Sequence, residues 1–398
     1  MAVAGRRDSI FDDVQRVNTL PSLHAEPTFT FLNRIAGSYW EHVRSLIEDW
    51  ALHLPDTDFL DMRNRLRSPD NEQFRSAFLE LYLHESLLRS GHQVIVHPEL
   101  PHTSRRPDFL ATGPDGAYYV EAIAPGTSRE GKARARRQAA FFDVIDRVDS
   151  SNFFLWLDDL VEGPRPAAAA KLRKELESWL HTLDPDAMPE FKESPTHTWA
   201  DDGWRATFRP IPVRADKRGA RPGNRALGVY GAAEASFVDD APTIQRALAM
   251  KQSAYGELDH PFVVAVGLYI FDNDLWHAKN AFYGHEVIQL HGDDRIEATA
   301  TRQGNGYFGR PGRWTHPQVS AVLLVNQLMP FTLTSSVATL WKHPGAAQPL
   351  TGDAGFPAAI FALEENELHE TPAACSIAER FGLSEPWPPG QAWPERFE

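Results

Sequence analysis

The chain has 398 residues, one cysteine and a formal net charge of −14, with 42% hydrophobic and 24% charged residues. That length buries a full core and leaves room for more than one domain. A single thiol excludes an internal disulfide and a cysteine metal cluster, and the charge excludes a surface that grips nucleic acid by bulk charge, though not a local basic cleft.

No apolar run reaches the ~18 residues of a membrane span, and MAVAGRRDSIFDD carries no signal-peptide core. A cytoplasmic protein with no membrane partner is the expectation. Residues 1–70 read as a helical N-terminal extension, because Phe31, Ile35, Tyr39, Val43 and Ile47 recur at helical spacing. A second helix follows from about Asn71 to Ser90, with Asp70 placed to cap it and Gly91 to end it. It is apolar nearly all round, so it is a buried helix. Glu80 and Glu85 sit within it, and a buried carboxylate must be paired, metal-bound or protonated.

Three strands come next: QVIVHPE (Gln93 to Glu99), PDFLAT (Pro107 to Thr112) and AYYVEAIA (Ala117 to Ala124). The turn Pro114-Asp115-Gly116 makes the last two an antiparallel hairpin, which brings Asp108 near Glu121. A helix capped by Ser128 runs to about Val148, and NFFLWLDDL (Asn152 to Leu160) reads as a strand. Another amphipathic helix covers 168–183. From Trp204 the pattern turns to β, with a Gly/Arg-rich loop, KRGARPGNR (Lys217 to Arg225), that reads either as a mobile solvated loop or as a phosphate-contacting one. Ala241 to Leu258 reads as a helix and PFVVAVGLYIF (Pro261 to Phe271) as a buried strand. The Gly-rich stretch QGNGYFGRPGRW and the strand VSAVLLVN lead to a Pro/Trp-rich end, expected to be peripheral.

Carboxylates converging at a strand end make a site for a hard divalent cation such as Mg2+. Pro107-Asp108, twelve intervening residues, then Glu121-Ala122-Ile123, after a helix bearing Glu80, resembles the PD-(D/E)XK nuclease superfamily. The resemblance covers roughly 90 residues. It implies an α/β protein with a restriction-endonuclease-like α-β-β-β-α-β core, a helical N-terminal extension and a mixed α/β C-terminal elaboration. It implies Asp108 and Glu121 as metal ligands for Mg2+ (or Mn2+), the Ala122 carbonyl as a further ligand and Glu80 as accessory ligand or base. The activity implied is hydrolysis of DNA phosphodiester bonds in a bacterial defence or DNA-processing role. The alternative is an inactive nuclease-like module that binds nucleic acid or a protein partner; a homodimer is compatible with either.

One departure is serious: Ile123 stands where the family has lysine. The superfamily tolerates migration of this residue. Lys251 is the candidate substitute, followed by Gln252 and by Tyr255 on the same helical face. Lys132 is a second candidate. Arg105, Arg106, Lys132, Arg218 and Arg221 are candidate nucleic-acid contacts. Two topologies fit: 128–160 closes a continuous core, which is slightly preferred, or 241–271 does and 126–240 is inserted. The expected domains are the extension 1–70, a nuclease-like core 71–275 with a helical insertion, a mixed region 276–350 packed on the core, and the tail 351–398. No P-loop, HExxH or GxSxG motif is present.

Overall fold

The structure is a computed structural model that describes residues 8–219, 225–230, 241–249, 255–270, 275–291, 297–364 and 367–393. The protein is mixed α/β and divides into two compact units. The first is Met1–Thr19, Pro27–Gly126 and Asp239–Glu398; the second is Leu20–Glu26 and Thr127–Val238.

The first unit opens with helices α1 (Thr28–Arg34), α2 (Ser38–Ala51), α3 (Asp56–Leu66) and α4 (Asn71–Arg89). The apolar repeat through Ile47 is split between α1 and α2 because Gly37 takes φ +112, a conformation that L side chains rarely adopt. Asp70 caps α4 by accepting from Glu72 N, as its position before the apolar run predicts. Strands β1 (Gln93–Val96), β2 (Phe109–Gly113) and β3 (Gly116–Ile123) follow as an antiparallel meander.

The chain returns from the second unit through α5 (Ala241–Ala249) to β4 (Phe262–Leu268), then passes α6 (Trp276–Tyr283), β5 (Ala321–Asn326), β6 (Val337–Lys342), β7 (Ala359–Glu364), β8 (Glu367–Thr371) and α7 (Ile377–Phe381). One sheet carries all eight labelled strands in sequence order. β4 runs parallel to both β3 and β5. Helices α1–α4 cover one face around Trp50, Phe74, Phe78 and Leu83. The other face packs Tyr119, Ile123, Val264 and Trp341 with residues of α5 and α6.

Two expectations are corrected. The strand expected to close a continuous core, Phe153–Val161, lies instead in a four-stranded sheet of the second unit, in the order His197–Asp201, Trp204–Pro212, Phe153–Val161, Leu227–Tyr230. Its neighbours there include the helices Arg129–Ile145 and Ala169–Leu180, so the insertion is α/β and not helical. The stretch 351–398 is not peripheral: it contributes β7 and β8, and Trp387 and Trp393 pack on the first core cluster. No helix among the described residues is long and apolar enough to cross a membrane.

His84 is a core histidine of α4, 2% exposed, with its ring against Phe109. Burial lowers its pKa to about 4, against the attraction of Glu85 and Asp58, while His53 reinforces the decrease. The unfolded chain therefore takes up a proton, near pH 6.5, that the folded chain refuses until about pH 4. The stability held by neutral His84 is complete above pH 6.5 and drains as pH falls toward 4, by up to ~1.4 kcal/mol per pH unit. Urea unfolding across this window shows a shallower pH slope for His84→Leu than for the native chain.

Candidate active site

The β2–β3 register pairs Phe109 with Val120 and Gly113 with Gly116. Continued by one residue, it puts Asp108 beside Glu121. The Asp108 carboxylate is held there by the backbone: its Oδ2 accepts from Ala122 N at 2.7 Å. Its main-chain carbonyl accepts from His97 N at 2.9 Å, extending the β1–β2 ladder past the last strand residue.

Glu121 lies on the sheet face of Tyr119 and Ile123 and is 1% exposed. Beside it on the sheet is Val264 of β4. A carboxylate so placed needs donors. Tyr255 supplies one: its hydroxyl donates to Glu121 Oε2 at 2.5 Å and lies 3.2 Å from the Arg106 carbonyl oxygen. Burial raises the Tyr255 pKa, and the Glu121 bond and the charges of Glu121 and Asp108 raise it further, while Arg105 opposes them. Tyr255 is thus a neutral donor under the influence of both carboxylates and of Arg105. It follows the described helix Ala241–Ala249 in the chain, and the expected helical pairing of Lys251 with Tyr255 falls on residues outside the described ones. Lys251 and Gln252 lie outside the described residues.

Glu80 has a different neighbourhood. Arg65 of α3 grips both of its oxygens, Nη1 on Oε2 at 2.6 Å and Nη2 on Oε1. Ser76 Oγ adds a contact to Oε1 at 3.4 Å. Glu80 and Asp108 line one small cavity with Asp58, Arg65 and His97. Two of these residues carry no motif or periodic signal in the sequence, yet they reach Asp108: Asp58 Oδ1 binds His97 Nδ1 at 2.9 Å, and His97 Nε2 is 4.0 Å from Asp108 Oδ1. His97 takes φ +48, a left-handed conformation, so its ring direction is set by a sharp backbone turn that no spacing rule announces.

The candidate nucleic-acid contacts are divided between the two units. Arg105 is close enough to Tyr255 for its charge to oppose the rise in that group's pKa. Arg106 is paired with Glu99 at 2.6 Å. Lys132 and Arg218 belong to the second unit, where Arg218 makes a two-pronged pair with Asp186 at 2.7 and 2.8 Å. Arg221 lies outside the described residues. Among the described residues, no group of three or more His, Cys, Asp or Glu side chains is arranged to hold a metal ion. Ile123 is 4% exposed and packs in the apolar cluster.

Comparison with protein-family models, with curated proteins and with solved structures finds no match to the chain.

The Arg65 clamp makes a stability prediction. Removing the guanidinium leaves the Glu80 carboxylate in a nearly buried site without its partner, so Arg65→Met costs about 3 kcal/mol in chemical denaturation. The double variant Arg65→Met/Glu80→Leu recovers most of that loss, because no orphaned charge remains.

Proposed function

We propose that the first unit has a restriction-endonuclease-like core and is a divalent-metal-dependent nuclease acting on DNA phosphodiester bonds. The observation that carries this reading is the opposition of Asp108 and Glu121 across β2 and β3, in a sheet whose next strand, β4, returns parallel to β3 after a helix. This supports the α-β-β-β-α-β order that the resemblance implies, with Ala241–Ala249 and Phe262–Leu268 as the proposed closing helix and strand.

The donor chemistry fits Mg2+ or Mn2+ at Asp108, Glu121 and the Ala122 carbonyl, all hard oxygen donors. Glu80 does not fit as a ligand, because Arg65 occupies both of its oxygens. A bound divalent cation supplies Lewis-acid stabilisation of the phosphate and an activated water. The chain's own residues orient the site. The Ala122 amide fixes the rotation of the Asp108 carboxylate. Tyr255 fixes that of Glu121, and the apolar wall at Ile123 excludes water behind it. The charge that the family places at the Ile123 position must come from elsewhere; Lys251 is the proposed source, with Arg105 as a phosphate contact.

The burial of Ile123 also favours a second reading, a nuclease-like module that binds nucleic acid without cutting it. Calorimetric Mn2+ titration of the native chain, Asp108→Ala and Glu121→Gln, followed by incubation with plasmid and single-stranded DNA, separates the two. The nuclease reading expects Mn2+ binding weakened at least about tenfold in both variants, with cleavage lost alongside. Metal or DNA binding without cleavage by the native chain favours the module. Absence of Mn2+ binding by the native chain overturns the metal site.

A further inference from the structure

The Gly-rich segment from Gln303 to Trp314 has no part in the acidic site, but it builds another. It forms one wall of a cavity of about 770 Å³ in the first unit, a volume in the range of small-molecule sites. The facing wall is apolar, made by Leu363 of β7 and Leu368 of β8, which lie on the sheet face of Glu121. Trp314 contributes an indole, and two arginines, Arg302 and Arg310, and two carboxylates, Glu286 and Glu367, contribute charge.

The two arginines are not equivalent. Arg302 is already committed: its Nη1 donates to Gly284 O at 2.9 Å and its Nη2 reaches Glu286 Oε2 at 3.4 Å. The Arg310 guanidinium makes no hydrogen bond or ion pair among the described residues. Its position is nonetheless set, because its stem lies across Gly304, where a Cβ would come within 3.0 Å of Arg310 Cδ. Trp314 is placed the same way. Its ring lies against Gly345, where a Cβ would stand 2.2 Å from Cδ1. Both glycines thus clear space for a side chain that the cavity presents.

An aromatic ring and aliphatic walls receive a flat, weakly polar group, and an unengaged guanidinium receives a phosphate in two-pronged geometry. Glu367 and Gln303 offer an acceptor and a donor for the edge of a base or a ribose hydroxyl. We propose that this cavity binds a nucleotide, with its base against Trp314 and its phosphate on Arg310. The nucleotide is either free or one unit of a nucleic-acid strand. Four strand-to-strand steps along the sheet, β3 to β7, separate the cavity from Glu121, or about 19 Å at the usual strand spacing, on one face. That is within reach of a short single strand. The proposal does not depend on the metal site, and its test excludes metal.

The test is binding in EDTA. Calorimetry reads adenosine 5′-monophosphate and adenosine, and anisotropy reads a short fluorescein-labelled single-stranded oligonucleotide. Arg310→Gln weakens the monophosphate about tenfold, as loss of one charge-assisted contact does, and leaves adenosine unchanged. Trp314→Leu weakens both. Arg310 is exposed, so its variant retains the native thermal melt and the binding comparison stands whatever Trp314→Leu does to folding. Displacement of the oligonucleotide by the monophosphate, or oligonucleotide binding that Arg310→Gln alone abolishes, assigns the cavity to a strand. Monophosphate binding without displacement assigns it to free nucleotide. Native protein that binds neither probe, or an Arg310→Gln variant that binds both as the native chain does, overturns the proposal. Loss of DNA cleavage or of Mn2+ binding has no bearing on these readings, so failure here and failure of the nuclease proposal are separate results.

Discussion

The parallel pairing of β4 with β3 on one side and β5 on the other is the constraint on which the first unit depends. A parallel neighbour cannot be reached by a tight turn; the chain must leave the sheet and return. Here the excursion contains Thr127–Val238, the larger of the second unit's two segments, as well as α5. β4 is buried along its full length, Phe262 to Leu268, and joins the antiparallel strands β1–β3 to β5–β8. One consequence falls on the acids. With β4 in place, Glu121 has a covered neighbour, Val264, and its carboxylate is removed from water. A strand end that would otherwise be an edge becomes an interior position, where the Tyr255 hydroxyl is needed.

The signals for this arrangement are partly present in the sequence. The Asp70 cap, the apolar circumference of α4 and the Pro-Asp-Gly turn specify the helix and the hairpin, and the structure has both. The choice of closing strand turned on a finer distinction. NFFLWLDDL alternates, and its strand shows the alternating burial of one packed face. PFVVAVGLYIF is continuously apolar, the pattern of a strand covered on both sides, as parallel strands are. Length and composition alone rank the two equally. Continuity against alternation ranks them correctly. The end of the chain was hidden for another reason: Pro and Trp at 386–394 dominate its composition and mask the apolar β7, AIFALE, while β8, ELHET, is largely polar.

The site was legible to the extent that backbone geometry determines it. Asp108 and Glu121 are opposed because a two-residue turn fixes the register, and a one-residue slip would send Glu121 to the other face. What could not be read was which partner each carboxylate takes. Arg65 meets Glu80 through the packing of α3 on α4, and Asp58 meets His97 through the placement of α3 beside β1; neither pair has a helical or strand spacing. Interelement contacts of this kind depend on the angle at which helices pack, which a one-dimensional pattern does not encode.

Ile123 bears on how charge is distributed in such a site. An ammonium at that position would point into the cluster of Tyr119, Val264 and Phe262, where an unpaired charge is costly. With isoleucine there, the face behind Glu121 is apolar, and positive charge can approach the two carboxylates only from segments outside β3. Arg105, in the β1–β2 connection, already acts on Tyr255 from such a segment. Arg106, its neighbour, is diverted to Glu99 and contributes its carbonyl instead. The acids are therefore held by the sheet, while their counter-charges and donors come from loops and from the chain beyond α5. Those segments meet only because β4 returns beside β3, so the chemistry of the acidic pair is tied to the crossover and not to the motif alone.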